Sequence, residues 1–119
     1  MAVMRVVANI AADAVGPARA FYGGVLGMEV AMDLGWIVTF ASGARTTPQV
    51  SVATEGGSGT PVPDISIEVD NLDEVYERAV GGGFRVEYGP ADEPWGVRRF
   101  FVRDPFDRRL NVLAHVKPG

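Results

Sequence analysis

The sequence predicts an α+β protein built from two βαβββ modules, and three observations predict it. The order strand, Asp, helix, Gly, three strands occurs twice. The punctuating residues are similarly spaced, with Asp13 and Gly27 14 positions apart and Asp70 and Gly83 13 apart. A stretch dense in turn-formers (Gly56, Gly57, Gly59, Pro61) lies between the two runs and offers little to bury. Residues 1–55 therefore form the first module, 56–63 the linker and 64–119 the second, within a single domain. Identity between the halves is slight, so the repeat rests on punctuation. A ferredoxin-like α+β domain with two coincidentally similar halves would carry the same pattern.

The elements follow in order. Residues 3–10 are β-branched and apolar, as in a buried strand. Asp13 offers a helix N-cap and Pro17 suits the first turn after it. Ala18, Phe21, Tyr22, Val25 and Leu26 recur at helical spacing, and Gly27 ends that helix. Strand-like runs at 28–33, 36–41 and 49–53 complete the first half. In the second half, residues 64–69 alternate like a strand, and Asp70 or Asn71 caps a helix to about Val80. Gly81, Gly82 and Gly83 stop it, and runs at 84–88, 97–103 and 110–115 follow.

Composition bounds the function classes. A chain of 119 residues, 47% hydrophobic and 22% charged, is a folded domain. At this size it hides roughly 65–70% of its unfolded surface and needs no staples. It has no cysteine, which excludes disulfides and thiolate chemistry and suits a reducing cytoplasm. No run approaches the roughly 20 apolar residues of a membrane helix, and the N-terminus lacks the basic head of a signal peptide. A net charge of −4 argues against nucleic acid as a partner. Arg98, Arg99, Arg103, Arg108 and Arg109 cluster late. They read best as a solvated sheet edge, with a local site for an anionic ligand as the alternative.

Three local motifs resemble the vicinal oxygen chelate superfamily, the glyoxalase/bleomycin resistance/dioxygenase group. The first is Ala20-Phe21-Tyr22-Gly23-Gly24-Val25-Leu26-Gly27-Met28-Glu29, similar to the family's "A-FY-x-x-VLG-x-x" helix end. The second is Gly89-Pro90 followed by Pro94-Trp95-Gly96. The third is Phe101-Val102-Arg103-Asp104-Pro105-Phe106-Asp107, similar to the "F-x-DPdG" turn. With the repeat, the likeness spans nearly the whole chain. It implies eight strands curling into an incomplete barrel around an open cleft, and a homodimer. It leaves the chemistry open, because the family includes lyases, dioxygenases, thiol transferases, epimerases and drug-binding proteins.

The resemblance also implies where a divalent metal would sit. Ligands of His, Glu or Gln type are expected on the first, fourth, fifth and eighth strands, leaving room for two vicinal substrate oxygens. Those positions hold Val6, Gln49 or Ser51, Pro63 (Asp64 with a shift of one) and Asn111. Val and Pro carry no donor, and Asn is a weak neutral ligand. The one histidine, His115, reads as a surface residue. No metal and no other cofactor is therefore expected.

Catalysis without a metal would need a nucleophile with its base or a tuned acid–base pair. The strand carboxylates Glu29, Asp33, Asp64, Glu68 and Glu87 are the candidates. Ile65, Ile67 and Val69 read as the core face of their strand, which turns Asp64 and Glu68 to solvent. Ligand capture needs less: aromatic walls and a few polar groups. Trp36, Phe40, Tyr88, Trp95 and Phe101 are the expected walls, with Gln49 and Asn111 as polar contacts. Flat, conjugated or cationic ligands suit such rings. The expectation is a metal-free binding protein that sequesters an antibiotic or aromatic metabolite. The alternatives are a lyase or dioxygenase holding Zn, Ni, Mn or Fe through Gln49, Asp64 and Asn111, and a dimerising module with no ligand.

Overall fold

The computed structural model describes residues 7–43 and 51–116. In chain order they form a helical turn α1 (Arg19–Val25), strands β1 (Glu29–Asp33), β2 (Val38–Ala41) and β3 (Ile65–Glu68), helix α2 (Leu72–Gly81), and strands β4 (Val86–Asp92), β5 (Val97–Arg103) and β6 (Arg109–His115). The second half is a complete βαβββ unit. Its sheet runs β3-β6-β5-β4, with β3 parallel to β6 and the other neighbours antiparallel. From the first half, β1 and β2 form a separate antiparallel hairpin.

α1 is one wide turn in which the Leu26 N–H reaches the Phe21 carbonyl five residues back, at 3.1 Å. Gly23 and Gly24, poor helix formers, lie in its middle. The turn still sends Phe21, Tyr22 and Val25 inward. Gly27 then takes φ +71°, and the chain doubles back so that Met28 N–H meets the Tyr22 carbonyl at 2.9 Å. In α2, Leu72, Val75 and Ala79 form the buried stripe, and Asp73 and Glu74 occupy the first turn, where the helix dipole favours them. This stripe packs on Phe100, Val102, Leu110 and Val112, one face of the four-stranded sheet, and α1 closes the core. Phe21 and Phe84 meet edge to face at 4.9 Å, as Tyr76 and Phe100 do at 5.4 Å.

Several expectations change. Among the described residues there are six strands, in sheets of four and two, and the α+β class stands; parts of two further expected strands lie outside the described residues. Residues 7–10 and 51–53, the described parts of two expected strands, pair with no strand. A β-branched run becomes a strand only where a neighbour takes its backbone hydrogen bonds. Asp13 does not cap α1, which begins after Ala18, and Asn71 precedes α2 without a capping bond, its amide donating instead to Glu74 Oε2 at 3.1 Å. β2 starts at Val38 rather than Trp36 because Gly35 (φ +84°) turns the chain and Leu34 N–H closes on the Ile37 carbonyl. β4 runs on through Pro90, which is tolerated because β4 is an edge strand. Among the described residues no helix is long and apolar enough to cross a membrane.

Candidate functional site

Side chains alternate across a strand, so the sheet face opposite α2 is set by register. Pairing puts Ser66 beside Asn111, Asn111 beside Phe101, and Phe101 beside Tyr88, one row across all four strands. The Tyr88 and Phe101 rings lie 5.4 Å apart. Asn111 is only 8% exposed; its Nδ2 donates to Ser66 Oγ at 3.1 Å, while its Oδ1 is buried and meets no donor among the described residues. A buried acceptor without a donor is uncommon and costs roughly 1–3 kcal/mol.

One row toward the 93–96 turn sits Arg99, 3% exposed. Its Nε donates to Glu93 Oε2 at 3.0 Å, its Nη1 to the Gly56 carbonyl at 2.7 Å and its Nη2 to the Gly57 carbonyl at 3.2 Å. The guanidinium carbon lies 5.4, 5.0 and 4.9 Å from the Tyr88, Trp95 and Phe101 ring centroids. Glu93 also accepts from Ser58 Oγ and from Tyr88 OH, each at 3.0 Å. Burial pushes the Glu93 carboxyl up, but the hydrogen bonds from Tyr88, Ser58 and Arg99 and the guanidinium charge prevail and hold it below the usual carboxylate value.

One row the other way, Arg103 and Arg109 are cross-strand partners that share one carboxylate oxygen. Glu87 Oε1 lies 2.7 Å from Arg103 Nε, off the hydrogen-bonding line, and accepts from Arg109 Nε at 3.1 Å. Burial raises the Glu87 carboxyl, yet both arginines bring it below its ordinary value. Beyond this row, Asp104 organises the 104–108 turn. Its Oδ1 accepts the Phe106 and Arg108 N–H groups, each at 2.8 Å, and its Oδ2 accepts the buried Tyr22 hydroxyl at 2.7 Å. Asp107 takes φ +64° where the motif form has Gly, a conformation Asp tolerates better than most residues.

The structure thus brings together Tyr88, Trp95, Phe101 and Asn111. It does not bring in the other expected wall residues. Phe40 packs on Tyr22, its ring centroid 5.7 Å away, and Trp36 stands on the β1–β2 turn, 75% exposed. Gln49, with Val6, lies outside the described residues. The aromatic rings do not line one open cleft, because three of them enclose the chain's own Arg99. Two shallow hollows lie elsewhere, one of about 300 Å³ beside Asn71, Arg98 and His115 and one of about 590 Å³ beside Asp13, Pro17 and Phe106.

Sequence reasoning missed Glu93, the burial of Arg99 and the docking of the expected linker. Gly57 (φ +88°) lies so close to Trp95 that an added Cβ would stand 2.7 Å from its Cη2 atom. The arginines of β5 are not on a solvated edge, since β5 lies inside the sheet. One signal was available: Arg99 has the parity of Phe101, so a cationic group had to share the aromatic face. Glu68 and His115 pair at 3.0 Å on the exposed surface, as their expected outward placement implies.

Of the metal positions implied by the resemblance, Ser51, Pro63, Asp64 and Asn111 lie among the described residues, and Val6 and Gln49 do not. Pro63 has no donor, Asp64 Oδ2 accepts the Arg109 backbone N–H at 2.9 Å, and the Asn111 amide is held by Ser66. Among the described residues no three His, Cys, Asp or Glu side chains converge.

The model of the Glyoxalase/Bleomycin resistance protein/Dioxygenase superfamily matches residues 5–112. A search of curated proteins finds no match. Among solved structures, TioX from Micromonospora sp. ML1 is similar, with TM-score 0.67 and 19% identity over 97% of this chain and 98% of that one. Lactoylglutathione lyase from Agrobacterium tumefaciens aligns with TM-score 0.61 and 25% identity over 87% of each chain. TnmS3, an antibiotic binding protein from Streptomyces sp. CB03234, aligns with TM-score 0.60 and 23% identity over 83% of this chain and 84% of that one.

Proposed function

Since the chain belongs to the Glyoxalase/Bleomycin resistance protein/Dioxygenase superfamily, we propose that it is a metal-free binding protein for a small organic molecule, held around Asn111 on the sheet face opposite α2. The observation that carries this reading is the buried Asn111 Oδ1, which meets no donor among the described residues, set beside the paired Phe101 and Tyr88 rings. A ligand N–H or O–H would satisfy that oxygen, and a flat ring would gain contact with Tyr88, the half-buried member of a pair whose Phe101 is fully buried. The described donor set favours holding a molecule over transforming it, and TnmS3 offers a precedent, on the same fold, for binding an antibiotic. Sequestration of an antibiotic or aromatic metabolite is accordingly the role proposed.

The chain acts in this proposal as a homodimer. Support comes from the β1–β2 hairpin, where Val30, Met32, Leu34 and Trp36 are all exposed. A two-stranded hairpin left uncovered in water is marginal.

The test is a titration of aromatic antibiotics, read by tryptophan fluorescence and thermal shift. A ligand should quench Trp95, raise the melting temperature and lose about tenfold in affinity in Asn111→Ala. A panel giving neither quenching nor stabilisation would remove the proposal. Stoichiometric Zn, Ni, Mn or Fe in the purified protein would replace it with the metal-dependent lyase or dioxygenase reading.

A further inference from the structure

The face that carries Asn111 also carries a charge pattern that selects among ligands. We propose that the ligand is an aromatic anion, a carboxylate or similar group on a flat ring, with its negative group held by Arg103 and Arg109 and an N–H or O–H donor turned to Asn111 Oδ1. This rests on the binding reading above and narrows it to a ligand class.

Charge balance along the face supports it. Arg99 is matched one to one by Glu93 and further fixed by two carbonyls, so that end is complete. The aromatic faces of Tyr88, Trp95 and Phe101 already hold this guanidinium, and a cationic ligand would compete with it. At the other end two guanidinium groups share one oxygen of Glu87. Arg103 and Arg109 are 23% and 22% exposed and Glu87 is 17% exposed, so this group is half-buried with one positive charge in excess. The other carboxylates nearby belong to Asp107, 3.7 Å from Arg103 Nη1 but 89% exposed, and Asp64, exposed and accepting a backbone N–H. Solvent screens both. Arg103 Nη1 donates to the Asp107 carbonyl at 2.8 Å, while the Nη groups of Arg109 meet no acceptor among the described residues.

Spacing supports the class as well. Residues two apart on one strand face stand about 6.7 Å apart, so Arg109 and Asn111 on β6, and Arg103 and Phe101 on β5, are separated by about one aromatic ring. A carboxylate at the arginines, a ring beside half-buried Tyr88, and a donor at Asn111 fit that length. A guanidinium pair takes a carboxylate by charge-assisted hydrogen bonds, stronger than neutral ones.

The test uses the full chain and three phenols of similar size, the anion 4-hydroxybenzoate, the neutral 4-hydroxybenzyl alcohol and the cation tyramine, titrated into the millimolar range suited to such ligands and followed by ¹H–¹⁵N spectra. The anion should bind about tenfold more tightly than the neutral alcohol and shift the Asn111 side-chain amide resonance. Its affinity should fall with added salt. Arg109→Gln should abolish the preference for the anion, and Arg98→Gln, on the α2 side of β5, should preserve it. If Arg109→Gln does not fold, the wild-type ranking of the three probes and its salt dependence decide alone. Alcohol or tyramine binding as tightly as the benzoate overturns this inference but leaves the binding reading standing. No binding by any probe, with no hit from the antibiotic panel, overturns both.

Discussion

Tyr22 and Asp104 are 82 positions apart, and each belongs to a short motif that reads from sequence as a family signature. Their hydrogen bond explains why the two motifs occur together. Asp104 uses one oxygen to close its own turn and the other to receive the hydroxyl from α1, tying the first helical turn to the end of β5. Burial, then the bond to Asp104, pushes the tyrosine's ionisation far above its ordinary value, so it remains a donor at any working pH. Tyr22→Phe leaves a buried carboxylate oxygen unpaired and should cost roughly 1–2 kcal/mol in urea unfolding. A loss below a few tenths would mean that solvent reaches Asp104. Asn111 is the converse case, a buried acceptor that meets no donor among the described residues.

At the scale of elements, the loop around residues 56–60 behaves as part of the second module. The Gly56 and Gly57 carbonyls accept from Arg99, Ser58 donates to Glu93, and Gly57 packs under Trp95. The pair at the centre of this contact makes its stability dependent on pH. Glu93 titrates below its ordinary value of 4.5 in the folded protein. Its contribution is therefore complete above the unfolded carboxyl value and is lost as pH falls through the lower folded one. Urea midpoints should decline below about pH 4.5 in the wild type and less steeply in Glu93→Gln. Equal slopes would place the acid sensitivity elsewhere, Glu87 being the next group with a lowered value.

For the molecule as a whole, the two halves are unequally finished among the described residues. The second packs a helix on a four-stranded sheet, while the first contributes α1 and Phe40 of β2 to that core and leaves every residue of β1 exposed. If a second copy covers the hairpin, light scattering should give twice the chain mass, and Trp36→Glu should shift the protein toward monomer. A wild-type monomer at all concentrations would rule out the proposed dimer.

How much was legible in sequence follows from the range of each interaction. Legible from the sequence were the local features: α2, the reversal at Gly27, strands β3, β5 and β6, the outward placement of Glu68 and His115, and the family. All of these depend on periodicity or on backbone freedom within a few residues. The tertiary structure decided what depends on partners distant in sequence. Whether a β-branched run finds a neighbouring strand, that Arg99 is sheathed by Tyr88, Trp95 and Phe101 and fixed to Glu93, and that Asn111 pairs with Ser66 are set by β-register and loop docking. No local pattern encodes them, because register joins residues tens of positions apart through backbone hydrogen bonds that any sequence can make.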